Sequence, residues 1–293
     1  MRSNQRSFVV CADDYGMTPG IDRAILKLAN ERRISAIGCL VGTDHWSCAA
    51  AALRKLDRLD VGLHLNLTEG RAISGASRLA ADGSFGGRSR LALGALTGFI
   101  DEDSLRREME AQLARFVDGM DRYPDFVDGH QSIQLYPVIG SVIIRFILEW
   151  KGPRRRPWLR TCCDRTATIL RRKHSRFLAT AAAIGSIDLV RAAQRFGIEV
   201  NDSFSGFYDV AQAEHFSKIF PSFLIGLRRR HVVMCHPGLC ESDTERRDVW
   251  MRCREHEFEF FSNGEYLALL NSHGLEVTQF NNMADMPGAN LSP

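Results

Sequence analysis

Strand and helix signals alternate through the first part of this 293-residue chain, and they predict an α/β protein built on a mainly parallel sheet. Two observations carry that prediction. Short apolar runs of strand length recur between segments whose apolar residues repeat at helical spacing. The resulting βαβαβ order favours parallel strands joined by right-handed crossovers.

The first strand is Ser7–Ala12, closed by Asp13-Asp14. Thr18 caps a helix with Pro19 in its first turn, and Ile21, Ala24, Ile25, Leu28 and Ala29 form its apolar face. Ala36–Val41 reads as a second buried strand, Trp46–Leu56 as a helix and Val61–Leu65 as a third strand. From about 68 to 90 Gly, Ser and Arg dominate, which predicts a loop insertion of the kind that forms lids or binding loops. Leu105–Val117 is an amphipathic helix starting at Asp103 or Ser104, Phe126–Asp128 a short strand, and Val138–Trp150 an apolar helix after Pro137. Lys151–Ser186 is basic and has no readable period. Ile187–Phe196 is helical and His231–Cys235 is a buried strand; Arg246–Phe261 and Tyr266–Leu270 are helical, and Glu276–Phe280 is a final strand. No repeat or linker divides the chain, so 1–293 is expected to be one domain with a core of about 7–280.

A 45% hydrophobic content suffices for a large core, and the net charge of +3 is only mildly basic. Arginines cluster at 154–156, at 171–172 beside Lys173, and at 228–230. Such runs meet phosphates or anionic membrane surfaces in some proteins, but ordinarily they are solvated faces. Without interleaved aromatics they give no platform for bases, so no nucleic-acid partner is expected. The eight cysteines form no CxxC pair, and Cys11, Cys39 and Cys235 fall within apolar strands as small core residues. Reduced thiols, no leader-like apolar stretch before the first strand and no run of 18 apolar residues together predict a cytoplasmic protein without stable membrane insertion.

The polar residues at strand ends carry the chemistry. Adjacent Asp13 and Asp14 repel each other, so their place at the end of a buried strand calls for a cation or a proton-transfer role. A solvated turn before the capped helix is the plain alternative. His64, Asp128-Gly129-His130 and His236-Pro237-Gly238 end three further strands. In a parallel barrel or open sheet these ends share one face, where active sites are assembled. Each histidine alone is accounted for by a structural hydrogen bond; the four ends together point to a site. One carboxylate with two imidazoles is a divalent-metal set that leaves positions open for water and substrate. With Asp14, His64 and His130 as ligands, Asp13 is free to act as a base and His236 to approach as an acid. A cation there would activate water and polarise a carbonyl. The same ligand types also suit Fe(II) oxygenases, so they do not fix the reaction.

Ala12-Asp13-Asp14-Tyr15-Gly16-Met17, Gly62-Leu63-His64-Leu65-Asn66-Leu67, Asp128-Gly129-His130-Gln131 and Met234-Cys235-His236-Pro237-Gly238 resemble, in order, the motifs of the YdjC-like (ChbG/HpnK-type) carbohydrate deacetylases. The resemblance spans roughly residues 7 to 270. It implies a single-domain distorted TIM-like (β/α) barrel, dependence on a divalent metal ion (Mg²⁺ or Zn²⁺), and removal of N-acetyl groups from an amino sugar or oligosaccharide. By motif, Asp14, His64 and His130 are the implied ligands, Asp13 the base and His236 the candidate acid. A homodimer is also implied. The chain departs from the family where further histidines commonly follow the third motif: here those positions are Ser132 and Gln134. That change leaves room for two other readings. One is a metal-dependent amidase or phosphoesterase acting on a phosphorylated or lipid-linked sugar; the other is a catalytically silent sugar-binding protein. Tyr15, Trp46, Tyr136 and Phe207-Tyr208 are candidates for stacking on sugar rings.

Overall fold

The computed structural model describes residues 6–152, 155–172, 174–242, 245 and 248–283. Its strands are β1 (Arg6–Tyr15), β2 (Ala36–Cys39), β3 (Asp60–Leu65), β4 (Phe126–Gly129), β5 (Trp158–Leu159), β6 (Ser203–Ser205), β7 (His231–Cys235) and β8 (Leu275–Val277). The helices are α1 (Pro19–Asn30), α2 (Trp46–Leu53), α3 (Gly87–Thr97), α4 (Glu102–Met120), α5 (Pro137–Leu148), α6 (Thr166–Arg172), α7 (Arg176–Arg195), α8 (Phe216–Phe223), α9 (Val249–Ser262) and α10 (Gly264–Ser272). All pairings between named strands are parallel, in the order β5-β4-β3-β2-β1-β7-β6, with β8 beside the start of β1. The α/β expectation holds.

The sheet curls until its edges meet. Leu159 pairs with Val200 in a parallel bridge, and its N–H donates to the Glu199 carbonyl at 2.8 Å. Beyond that bridge the seam is a side-chain clasp. Asn201 accepts the Thr161 N–H at 2.7 Å and donates to the Thr161 carbonyl at 3.0 Å.

Alternation along the strands sorts the core into two sets. Phe8, Val10 and Ala12 pack outward against the helices with Ile21, Ile25 and Leu28 of α1. Val9 and Cys11 face inward with Ala36, Phe126, Trp158, Phe204 and Val232. Trp158 stacks between Phe126 at 4.6 Å and Phe280 at 4.1 Å, filling the lumen. Gly62 makes room for this stack, since a Cβ there would lie 2.4 Å from the Phe126 ring. Inward residues nearer the strand C-termini continue the same rows, and those are polar.

Several boundaries differ from expectation. The α4 N-cap is Asp101, whose carboxylate accepts the Ser104 N–H, so the helix starts a few residues earlier than Asp103 or Ser104 would set it. The insertion contains α3, and the unreadable basic stretch contains β5, α6 and most of α7. Part of its charge is internal, with Arg172 buried against Asp164 at 2.6 Å; in the later arginine cluster Arg230 reaches Glu199 at 2.8 Å. Arg154, Lys173 and Arg246 lie outside the described residues. Tyr15 and Trp46 are fully buried and belong to the core, because their rings face the outer layer rather than the strand ends. Tyr136, Phe207 and Tyr208 are half-buried. Among the described residues no helix is long and apolar enough to cross a membrane.

Candidate active site

Asp13 follows Val9 and Cys11 on the inward row of β1. Simple alternation would send Asp14 outward. Instead Asp14 takes a left-handed φ of 69°, and the pairing with β2 slips between Ala12 and Tyr15. Aspartate tolerates this region better than most residues, and such strain collects at functional sites. The slip turns both carboxylates toward the strand ends while Tyr15 returns to the outer core. Gly38 leaves space beside them: a Cβ there would stand 3.1 Å from Asp13 Oδ1 and 3.4 Å from the His64 Cβ.

The two neighbours have separate partners. Asp13 receives Arg160 from the end of β5, Nη1 to Oδ1 and Nη2 to Oδ2, both at 2.6 Å. Burial pushes the Asp13 pKa up, but Arg160, His64 and His236 together outweigh it, and the net direction is down. Asp14 receives Arg254 of α9, Nη2 to Oδ2 at 2.5 Å. Burial again opposes ionisation, and Arg254 and His130 together hold the Asp14 carboxyl well below its ordinary value. The second oxygen, Asp14 Oδ1, is buried and has no hydrogen-bond partner among the described residues.

His64 and His130 converge on that oxygen. His130 Nδ1 lies 2.9 Å from it and His64 Nε2 3.6 Å, and the two rings meet edge-on at 5.4 Å. One ligand atom from each of Asp14, His64 and His130 falls within a 4.8 Å cluster, as does one from each of Asp13, His64 and Asp128. A buried carboxylate oxygen facing two imidazole nitrogens is what a divalent cation needs, so the donor set fits one. The described residues place His236 on the far side of the pair, with Nε2 3.9 Å from Asp13 Oδ2 and the side chain about a third exposed. Desolvation of its ring brings the His236 pKa down to about 4.

Asp128 Oδ1 receives His64 Nδ1 at 2.8 Å, so it orients His64, and its Oδ2 pairs with Arg160. The cause is register: His64 and Asp128 are direct partners in the β3–β4 ladder. Ser132 and Gln134 stay off the Asp14 cluster. Ser132 Oγ contacts Cys162 Sγ at 3.7 Å, and the buried Gln134 donates to the Arg160 carbonyl at 3.4 Å. Of the two, only Gln134 touches Arg160, and it does so at the backbone.

Three charged residues at this centre escape a reading of the sequence. Arg160 follows a two-residue strand, and Arg254 looks like any helix-surface cation. Glu257, one turn beyond Arg254, is buried; it accepts the His236 N–H at 2.5 Å and the Tyr208 hydroxyl at 2.7 Å. Burial pushes its pKa up to about 7. The Arg254-x-x-Glu257 spacing, which puts both on one helix face, is the signal that could have found them.

Several known proteins are similar to this chain in sequence or in fold. A mouse protein named carbohydrate deacetylase is 35% identical over 140 residues, which cover 46% of this chain and 44% of the mouse protein. A Brevibacillus brevis protein of the same name is 29% identical over 151 residues, covering 52% of this chain and 59% of its own length. The chain thus spans about half the length of the curated relatives it matches. A solved Enterococcus faecalis V583 structure, named for a proposed role in cellobiose-phosphate cleavage, superimposes with a TM-score of 0.69 at 17% identity. It covers 96% of this chain and 99% of that one, and so shares the fold. The family model described as YdjC-like protein matches residues 7–272, taking in all four strand-end motifs, and the chain belongs to that family.

Proposed function

We propose that this protein is a divalent-metal-dependent carbohydrate deacetylase that hydrolyses the N-acetyl group of an amino sugar. The observation that carries the reading is the division of labour between Asp13 and Asp14. Asp14 turns one oxygen toward two imidazoles, whereas Asp13 is held ionised beside them. The relatives named carbohydrate deacetylase support the same reaction class.

Asp14, His64 and His130 would hold the cation. When bound, a cation such as Zn²⁺ or Mg²⁺ supplies Lewis acidity, lowering the pKa of water and polarising the amide carbonyl. Asp13, ionised at neutral pH by Arg160, takes the proton of the attacking water on a carboxylate oxygen. His236 is neutral at that pH, because its ring titrates near 4, so it must gain a proton before it can act as an acid. Asp13 Oδ2, 3.9 Å from His236 Nε2, is the nearest carboxylate source once it has been protonated. His236 then passes the proton to the departing sugar amine, and acetate and the free amine are released. Glu257 fixes the His236 backbone during these steps, and Asp128 fixes the His64 ring.

The deciding experiment combines elemental analysis of the purified protein with acetate release from N-acetylated mono- and oligosaccharides, free and lipid-linked. Acetate release that depends on bound metal is the expected result. Phosphate release without acetate would establish a phosphoesterase instead. Sugar binding without acetate release, with Zn²⁺, Mg²⁺ or Mn²⁺ supplied, would establish a silent binding protein.

A further inference from the structure

The two imidazoles facing Asp14 Oδ1 are mounted in opposite senses. His64 turns Nε2 toward that oxygen and gives Nδ1 to the Asp128 carboxylate at 2.8 Å. His130 turns Nδ1 toward the same oxygen at 2.9 Å, leaving Nε2 on the far side. His130 Nε2 is buried and has no hydrogen-bond partner among the described residues. Glu69 Oε2 stands 3.6 Å from it, just outside hydrogen-bond range.

Glu69 is anchored well for a side chain that is half exposed. The Asn66 side chain accepts the backbone N–H groups of Thr68 and Glu69, each at 3.0 Å, and donates to the Glu69 carbonyl at 2.8 Å. Gln131, next to His130 and itself at a left-handed φ of 56°, donates to Glu69 Oε1 at 2.6 Å. These bonds bring the loop after β3 against the loop after β4, with one Glu69 oxygen occupied and the other aimed at His130. A purely solvated acid needs none of this. A carboxylate on the far nitrogen of a ligating histidine fixes its tautomer and orientation, as Asp128 is placed to do for His64.

We propose that Glu69 is the positioning residue for His130: it accepts the Nε2–H, and so leaves the Nδ1 lone pair free for a cation beside Asp14. The proposal rests on the metal-dependent reading of the site but not on its deacetylase chemistry.

Binding of Zn²⁺ to the metal-free full chain, measured by competition with a chromophoric chelator at pH 7, tests it. Glu69→Gln and Glu69→Ala are expected to weaken Zn²⁺ binding by about 10–100-fold, the usual cost of losing such a partner. Glu69 lies in a partly exposed loop, so both variants should keep the wild-type melting temperature. Nitrogen-15 histidine spectra of the Zn²⁺-loaded protein should show His130 protonated on Nε2, with that proton exchanging faster in Glu69→Ala. Unchanged Zn²⁺ affinity in both variants, or His130 carrying its proton on Nδ1, overturns the proposal. A raised KM with unchanged affinity would assign Glu69 to substrate instead, and also overturns it. If the wild type binds Zn²⁺ without releasing acetate from any sugar, the deacetylase reading falls while the role of Glu69 stands.

Discussion

In the first half of the barrel β1 runs for 10 residues and β3 for 6, whereas β5 and β6 in the second half run for 2 and 3. The long-stranded half supplies acids and imidazoles: Asp13, Asp14, His64, Asp128 and His130. The short-stranded half and the helix after it supply the compensating cations, Arg160 and Arg254, and the backbone anchor Glu257. Repulsion between adjacent buried aspartates is thus relieved by residues about 150 and 240 positions away in sequence. The first half holds the candidate ligands and base; the second makes their charge tolerable in a buried place and adds His236 after β7.

The sharpest way to break this division is to strip the first half of its proposed base. Asp13→Asn keeps the shape and can still accept from Arg160, so metal content should stay near wild type. Turnover should fall by about 10²–10⁴-fold, the range for losing general base catalysis. Steady-state kinetics with elemental analysis of the same sample checks both parts. Wild-type turnover would remove Asp13 from the chemistry.

A second test uses pH on the metal-free protein. Burial of the His130 ring pulls its pKa down, but Asp14, with help from Glu69, overrides this and raises it to about 10. A group raised in the folded state contributes stability that is fully present below its ordinary value near 6.5 and is lost as pH rises through about 10. Metal-free protein should therefore lose stability across that window, and His130→Gln should flatten the loss. A cation must displace the same proton, so Zn²⁺ affinity should climb by up to about tenfold per pH unit between 6.5 and 8. Affinity flat with pH would mean that His130 is already neutral.

Arg160 is where the two halves meet. It is nearly fully buried and pairs with both Asp13 and Asp128. Arg160→Met leaves two buried carboxylates without their cation, which should cost about 3–5 kcal/mol of unfolding free energy in urea titrations. Raising the Asp13 pKa toward the ordinary carboxylate range should also move the acid limb of activity to higher pH. A loss below about 1 kcal/mol would mean that solvent already screens the pair.

That residue also marks the limit of sequence reading. β1, β3, β4 and β7 were legible because each is an apolar run ending in a motif. The α1 face from Ile21 to Ala29 was legible from its spacing, and all five residues are buried. β5 gives no period at two residues, and Arg160 then falls within what looks like a basic surface. Arg254 shares α9 with exposed and half-buried residues, and only packing against β1 and the loop after β7 turns it inward. Asp13 and Asp14 were legible as a pair, but the left-handed turn that aims both of them is a tertiary product of the β1–β2 register. The acids could be named from sequence; their counterions required the fold.

The smallest expected effect concerns the seam where the short strands close the barrel. Elsewhere in the sheet, neighbouring strands are joined by backbone ladders. At this seam one bridge, Leu159 to Val200, is extended by the Asn201 side chain, which is 1% exposed. Its Oδ1 takes the Thr161 N–H and hydroxyl at 2.7 and 3.2 Å, and its Nδ2 serves the carbonyls of Thr161 and Ser203 at 3.0 and 3.1 Å. Asn201→Ala leaves those buried groups without partners, at about 1–3 kcal/mol after relaxation. If the halves differ as argued, hydrogen exchange should quicken for the amides of β5, Thr161 and β6 while β1 to β3 keep their protection. Arg160 sits one residue beyond β5, so the same loosening should raise the Asp13 pKa slightly and trim turnover without changing Zn²⁺ affinity. Uniform loss of protection through β1 to β3 would show instead that the seam and the long strands open as one cooperative unit, with the short strands no weaker than the rest.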